Sequence, residues 1–251
     1  LAIVKHEDYI PSKYLPTFNS NVIELHLNKI KQLSNQFVLF NDDMFIIDKV
    51  KEKDFFKNGK PVESALLDVL IKKVPEDIFP YSVMNNMGLI NRHFNKRDVQ
   101  KKYFFKFFNL KYGKSFFRNI ELAPLKFFSS IRDEHIPSPY LKETFDEVWK
   151  LEGAFLETVG SNSKFRTKDD YMHWIFKNWQ ICSGKFVPRK SGFGKMISIS
   201  DAKSYKYIVK KSYRCLCLND GDIEYNEYLK IKEKITAAFD VIYPVKSSYE
   251  K

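Results

Sequence analysis

The sequence predicts an α/β fold in which an open, mostly parallel sheet carries a large helical insertion. Three observations carry that reading. Phe37-Val38-Leu39-Phe40 is a continuous apolar run of strand length, the pattern of a parallel strand buried on both faces. Upstream, Ile23, Leu27 and Ile30 recur at helical spacing. Downstream, the run ends abruptly in Asn41-Asp42-Asp43. Helix, buried strand and then a polar cluster is the local order of an open α/β sheet, whose ligands sit beyond the carboxyl ends of its strands.

Taken in order, residues 1–4 read as a short apolar strand, and residues 6–16 as a turn-rich loop punctuated by Pro11 and Pro16. Asn19 or Ser20 is placed to cap the first helix. From Pro61 helical patterns dominate, with Val62, Ala65, Leu66, Val69 and Leu70 forming one stripe and residues 81–112 rich in long apolar side chains. Thr167, Asp169 and Asp170 read as a helix start and Gly184 as its stop, framing an aromatic helix with Trp174, Phe176 and Trp179. Strands are expected at 196–200 and 213–218, the second running into Asn219-Asp220-Gly221-Asp222. A last amphipathic helix carries Tyr225, Leu229, Ile235 and Phe239. With no internal repeat and no linker-like stretch, residues 1–251 are read as a single α/β domain with a mainly helical insertion over 61–190.

Composition narrows the class. A chain of 251 residues can bury a core without covalent staples. Lys plus Arg number 42 against 31 Asp plus Glu, a net charge of +11, but 44% hydrophobic and 16% aromatic content excludes disorder. Nine Gly and ten Pro exclude a low-complexity or collagen-like chain. The three cysteines, Cys182, Cys215 and Cys217, match neither a disulfide framework nor a paired zinc motif, so a reducing compartment is expected. No apolar run approaches the ~20 residues of a membrane span. No basic-then-apolar leader opens the chain, so an export signal is not expected.

Several clusters have the residue types of a catalytic site. Asn41-Asp42-Asp43 and Asn219-Asp220-Gly221-Asp222 each follow an expected strand. On one sheet they could converge on Mg2+, which takes carboxylate and phosphate oxygens; separately they are ordinary turn sequences. His135 lies in the polar loop Asp133-Glu134-His135-Ile136-Pro137, as a solvated residue or a proton acceptor. Arg166 suits a surface ion pair with Asp169 or Asp170, or a planar clamp on phosphate. Glu24 on the first helix is either solvated or aimed at the strand end carrying Asp42. Lys101-Lys102-Tyr103-Phe104-Phe105-Lys106-Phe107-Phe108 interleaves cations with aromatics, as single-stranded nucleic acid or an anionic membrane would require. Its lysines do not gather on one helical face, however, which favours a packed helix with snorkelling lysines.

Leu15-Pro16-Thr17-Phe18-Asn19-Ser20-Asn21-Val22-Ile23-Glu24, then Leu33-Ser34, Phe40-Asn41-Asp42-Asp43-Met44-Phe45 and Asp54-Phe55-Phe56, resembles the second conserved region of the Stealth family. That family comprises bacterial capsular polysaccharide phosphotransferases and the animal lysosomal-enzyme GlcNAc-1-phosphotransferase. His135-Ile136-Pro137 with Phe165-Arg166-Thr167-Lys168-Asp169-Asp170 resembles the third region, and Arg214-Cys215-Leu216-Cys217-Leu218-Asn219-Asp220 the fourth. Tyr243-Pro244 with Ser247-Ser248-Tyr249-Glu250 is similar to the family's usual close. The first region, a strand ending in a Trp-Val-Asp-Gly-like motif, has no counterpart, nor has the arginine-bearing helix after it. An upstream segment that completes the fold and the donor site is therefore expected.

The resemblance implies a nucleotide-sugar-transferase-like sheet, lacking its N-terminal strand. It also implies transfer of a hexose 1-phosphate or N-acetylhexosamine 1-phosphate from a UDP-sugar to a glycan hydroxyl, with UMP leaving, in capsular or exopolysaccharide synthesis. Asp42 and Asp220, with Asn219, would hold Mg2+ or Mn2+. Asp43 or His135 would be the base, Arg166 would neutralise phosphate, and Glu24 would bind metal or orient sugar. Asn19, Ser20, Asn41 and Asn219 would contact substrate. The implied partners are a UDP-sugar, a growing polysaccharide or lipid-linked glycan acceptor, and the inner face of a bacterial plasma membrane, touched from the cytoplasm; nucleic acid is not expected. Two other readings compete: a basic nucleic-acid-binding module, whose affinity would collapse with salt, and an inactive glycan-binding homologue.

Overall fold

A computed structural model describes residues 2–221 and 223–249. In chain order the helices are α1 (Ser20–Leu25), α2 (Glu52–Phe55), α3 (Phe79–His93), α4 (Lys96–Lys102), α5 (Phe104–Phe107), α6 (Ser115–Leu122), α7 (Lys142–Ser161), α8 (Trp174–Cys182), α9 (Ser204–Val209) and α10 (Tyr225–Ile242). The strands are β1 (Gln36–Leu39), β2 (Met44–Ile46), β3 (Phe56–Lys57), β4 (Lys60–Glu63), β5 (Leu67–Asp68), β6 (Ser130–Ile131), β7 (Ser138–Leu141), β8 (Val187–Pro188), β9 (Gly194–Ser198) and β10 (Cys215–Asn219). The chain is mixed α/β, as expected. Its strands are distributed over four small sheets. Pairing is parallel for β10 with β9 and β4 with β8, and antiparallel for β10 with β2, β3 with β4, and β5 with β6. No helix among the described residues is long and apolar enough to cross a membrane.

The chain divides into two compact units. The first comprises residues 1–38, 55–132 and 139–189. Its core stacks Phe145 of α7 on Phe176 of α8, ring centroids 3.6 Å apart, and Phe37 of β1 packs beside them on Tyr140 and Phe145. β1 pairs with β7 and is only half-buried, where burial on both faces was expected. At the start of α1, Asn19 accepts from the Asn21 amide, which is the cap the sequence announced. The helix stops after six residues, and a 3-10 turn follows at Leu27–Lys29, so the Ile23, Leu27, Ile30 stripe is divided between two elements.

Two further expectations fail in this unit. Residues 2–5 form no strand, because no described strand pairs with them; Leu1 lies outside the described residues. The stripe from Val62 to Leu70 is not a helix. β3 and β4 form a hairpin over Asn58 (φ 52°) and Gly59 (φ 74°), the pair of left-handed residues that a two-residue primed turn requires. β4 then pairs with β8, and β5 with β6. Every residue from 61 to 67 is buried, which a one-sided helical stripe would not produce.

The second unit comprises residues 39–54, 133–138 and 190–251. It is built on the sheet β2-β10-β9. As the central strand, β10 is buried from Cys215 to Leu218. Ile47, Ile197, Ile208, Leu216 and Ala238 form the core beneath α9 and α10. The observed β9, β10 and α10 lie within a few residues of their expected places.

Candidate active site

In the second unit the antiparallel register sets Met44 opposite Cys217, and the Leu218 amide donates to the Asp43 carbonyl at 2.8 Å. Asn41-Asp42-Asp43, just before β2, therefore meets Asn219 and Asp220 at the end of β10. Both acidic clusters thus share one end of a strand pair, with Asp42, Asn219 and Asp220 exposed and Asn41 half-buried; Asp222 lies outside the described residues.

Asp43 points inward. Its Oδ2 accepts from the Cys217 thiol at 3.0 Å and lies 3.6 Å from His135 Nε2. Its Oδ1 is buried with no hydrogen-bond partner. Burial pushes the Cys217 thiol up, and the Asp43 carboxylate adds to the shift, so the sulfur keeps its proton at neutral pH and donates it to the carboxylate. The three side chains offer ligand atoms all within 4.8 Å of one another. Cys217 was not singled out in the sequence as a site residue; the signals were its place two residues before Asn219 on an apolar strand and within the motif that resembles the fourth conserved region.

His135 reaches this position through a strained loop. Its φ is +47°, a left-handed conformation costing a non-glycine residue roughly 1–2 kcal/mol. The Asp133 carboxylate accepts from the His135 amide at 2.6 Å and holds the turn. Ile136 anchors it against Gly194, where a Cβ would lie 2.8 Å from Ile136 Cγ2 and 3.1 Å from the Cys215 carbonyl. Strain of this kind persists where the surroundings overdetermine it, as at functional sites.

A second constellation lies in the first unit. Glu24 Oε2 sits 2.6 Å from His173 Nδ1, both side chains nearly withdrawn from solvent. Asp170 is fully buried and gathers three donors: Asn19 Nδ2 at 2.9 Å, Asn21 Nδ2 at 2.8 Å and Thr167 Oγ1 at 3.0 Å. The acidic residue expected at a helix start or in an ion pair with Arg166 is thus an internal organiser. α8 begins four residues later, at Trp174. Arg166 instead donates to Ser20 Oγ at 2.6 Å from an exposed position. Asn19, expected at the substrate, is fully buried and its amide is committed to Asp170 and the Phe165 carbonyl. Neither His173 nor Asp170's gathering role was legible, since Glu24 lies 149 residues from His173, and Asn21 and Asn19 lie 149 and 151 residues from Asp170.

Residues 1–63 match the family model described as Stealth protein CR2, conserved region 2. Over its full length the chain is 42% identical to a capsular polysaccharide phosphotransferase WcwK of Streptococcus pneumoniae, covering 74% of that protein. It is 33% identical to the exopolysaccharide phosphotransferase cps2G of Lactiplantibacillus plantarum (strain ATCC BAA-793 / NCIMB 8826 / WCFS1), again over 100% of this chain and 74% of the relative. A receptor polysaccharide phosphotransferase WefC of Streptococcus gordonii is 35% identical with the same coverage.

Proposed function

The chain belongs to the Stealth family and is a phosphotransferase of polysaccharide synthesis, and on that premise we propose that it moves a sugar 1-phosphate from a UDP-sugar to a glycan hydroxyl and releases UMP. The observation that carries this reading is the Asp43–His135 pair. A histidine in strained backbone is set beside a carboxylate whose second oxygen is buried without a partner.

In the proposed reaction His135 accepts the proton of the acceptor hydroxyl, and Asp43, 3.6 Å away, stabilises the resulting imidazolium. The acceptor oxygen bonds to the sugar-linked phosphorus as the bond from that phosphorus to the UMP oxygen breaks. The anomeric C–O bond is untouched, so its configuration is retained. Arg166, hydrogen-bonded to Ser20, is assigned to phosphate charge, and Glu24, fixed by His173, to orienting the sugar. Asn41 and Asn219 flank the carboxylates as substrate contacts.

Asp42 and Asp220 would hold Mg2+ or Mn2+. They are hard oxygen donors at one end of the strand pair, and the unpartnered Asp43 Oδ1 is a further oxygen that a cation would satisfy. When bound, the ion supplies neutralisation of phosphate charge. The thiol of Cys217 stays protonated and serves Asp43 as a donor. Turnover of a panel of UDP-sugars with Mg2+, Mn2+ or EDTA tests this reading. Uridine nucleotide release with either ion and none in EDTA is expected, while full activity in EDTA would remove the metal.

A further inference from the structure

Among the described residues, the segment from Lys101 to Phe127 in the first unit has an unusual surface. Its inward positions are well occupied: Phe107, Tyr112 and Asn119 are buried, Asn119 donates to the Ala65 and Phe107 carbonyls, and Lys96 caps the carbonyls of Leu122, Ala123 and Leu125 that close α6. The apolar side chains that remain outside are therefore not poorly packed core. Phe105 and Leu110 are each 81% exposed, Phe117 63% and Phe127 57%, with Phe104 and Ile120 also outside. Such a concentration of large exposed apolar side chains marks an interaction surface.

The charge around them selects the partner. Lys101, Lys102, Lys111, Lys114 and Lys126 are all exposed, against the single acidic residue Glu121 in the same segment. The segment's two other cations are committed, Lys106 to the Gly184 and Phe186 carbonyls and Arg118 to Asp68. A second copy of the chain docking through this face would oppose lysines to lysines. An anionic bilayer offers both complements, phosphate headgroups for the ammonium groups and an acyl boundary for the rings.

We propose that the Lys101 to Phe127 face seats the protein on an anionic membrane surface. The proposal goes beyond the transfer reaction and stands apart from it. The test is cosedimentation with vesicles of phosphatidylglycerol and phosphatidylcholine, or of phosphatidylcholine alone. Binding to the anionic vesicles should exceed binding to the neutral ones by about tenfold or more and weaken with salt. Phe105→Ser/Phe117→Ser/Phe127→Ser should lose at least about tenfold of that binding, and Lys101→Glu/Lys102→Glu should lose the anionic preference. All five positions are exposed, so thermal midpoints should match the parent. Equal binding by the aromatic variant, or no preference for anionic lipid, overturns the proposal. So does a concentration-dependent dimer that the aromatic variant abolishes while vesicles bind neither protein. Transfer to a soluble acceptor, measured in parallel, should be unchanged in these variants, which separates failure here from failure of the enzymatic reading.

Discussion

His173 Nδ1 lies 2.6 Å from Glu24 Oε2, and the pair is almost entirely withdrawn from water. α1 and the first residues before α8 are thereby pinned together at a carboxylate that stands in a family motif. Removing the imidazole leaves a buried carboxylate without that partner, at a cost of about 1–3 kcal/mol. His173→Ala should lower kcat about tenfold or more through misplacement of Glu24. His173→Gln, which keeps a donor, should restore part of the loss. A His173→Ala enzyme with undiminished kcat and an unchanged pH profile would show that the pair is purely structural.

Asp43 and His135 should behave as chemistry rather than scaffold. Asp43→Asn and His135→Gln should each reduce kcat by about 100-fold or more while the protein stays folded. His135→Gly should relieve the left-handed strain, raising stability by up to about 1 kcal/mol while abolishing turnover. Loss of stability together with activity in that glycine variant, measured by urea denaturation, would contradict the assignment.

Asp170 is the opposite case. Three polar side chains converge on it without solvent, so Asp170→Ala should cost at least about 3 kcal/mol, several unmet buried hydrogen bonds at once. Urea midpoints give the value; a change below about 0.5 kcal/mol, that of an ordinary surface substitution, would refute the structural role.

Stability should also fall in acid through Asp68. Burial pushes its carboxyl up, but hydrogen bonds from Arg118 at 2.5 Å and Arg132 at 3.0 Å outweigh it and hold it below its ordinary value. A carboxyl depressed in the folded state contributes stability that is present above the unfolded pKa of about 4 and lost as pH falls through the folded pKa. Urea midpoints of the parent should therefore drop more steeply below about pH 4 than those of Asp68→Asn. Parallel curves for the two proteins would remove Asp68 as a contributor.

What the sequence disclosed was local. The Asn19 cap, the β9 and β10 runs and the amphipathic α10 are set by neighbours a few residues away, so periodicity and capping chemistry expose them. The stripe from Val62 to Leu70 misled because its first part, residues 61–67, is buried all round and so fits both periods, although Asn58-Gly59 just before it is a hairpin signal. The Lys101 to Phe108 segment did form helix, but the wheel could not say that Phe104 and Phe105 stay outside. The site's pairings were invisible for a different reason. Asp43 and Cys217 are 174 residues apart, and Glu24 and His173 149; no local pattern encodes such contacts. Only the family motif marked Glu24, Asp43, His135 and Arg166 together.

The central claim is that the bond broken lies between the two phosphorus atoms of the donor, on the UMP side of the sugar-linked phosphate. A UDP-sugar carrying radioactive phosphorus only in the sugar-linked position, incubated with the enzyme, Mg2+ and acceptor polysaccharide, reads this directly. The account predicts that the label enters the polymer, in phosphodiester linkage, and that the nucleotide released is unlabelled UMP. Label released as UDP, with unlabelled sugar in the polymer, would mean cleavage at the anomeric carbon and would contradict it.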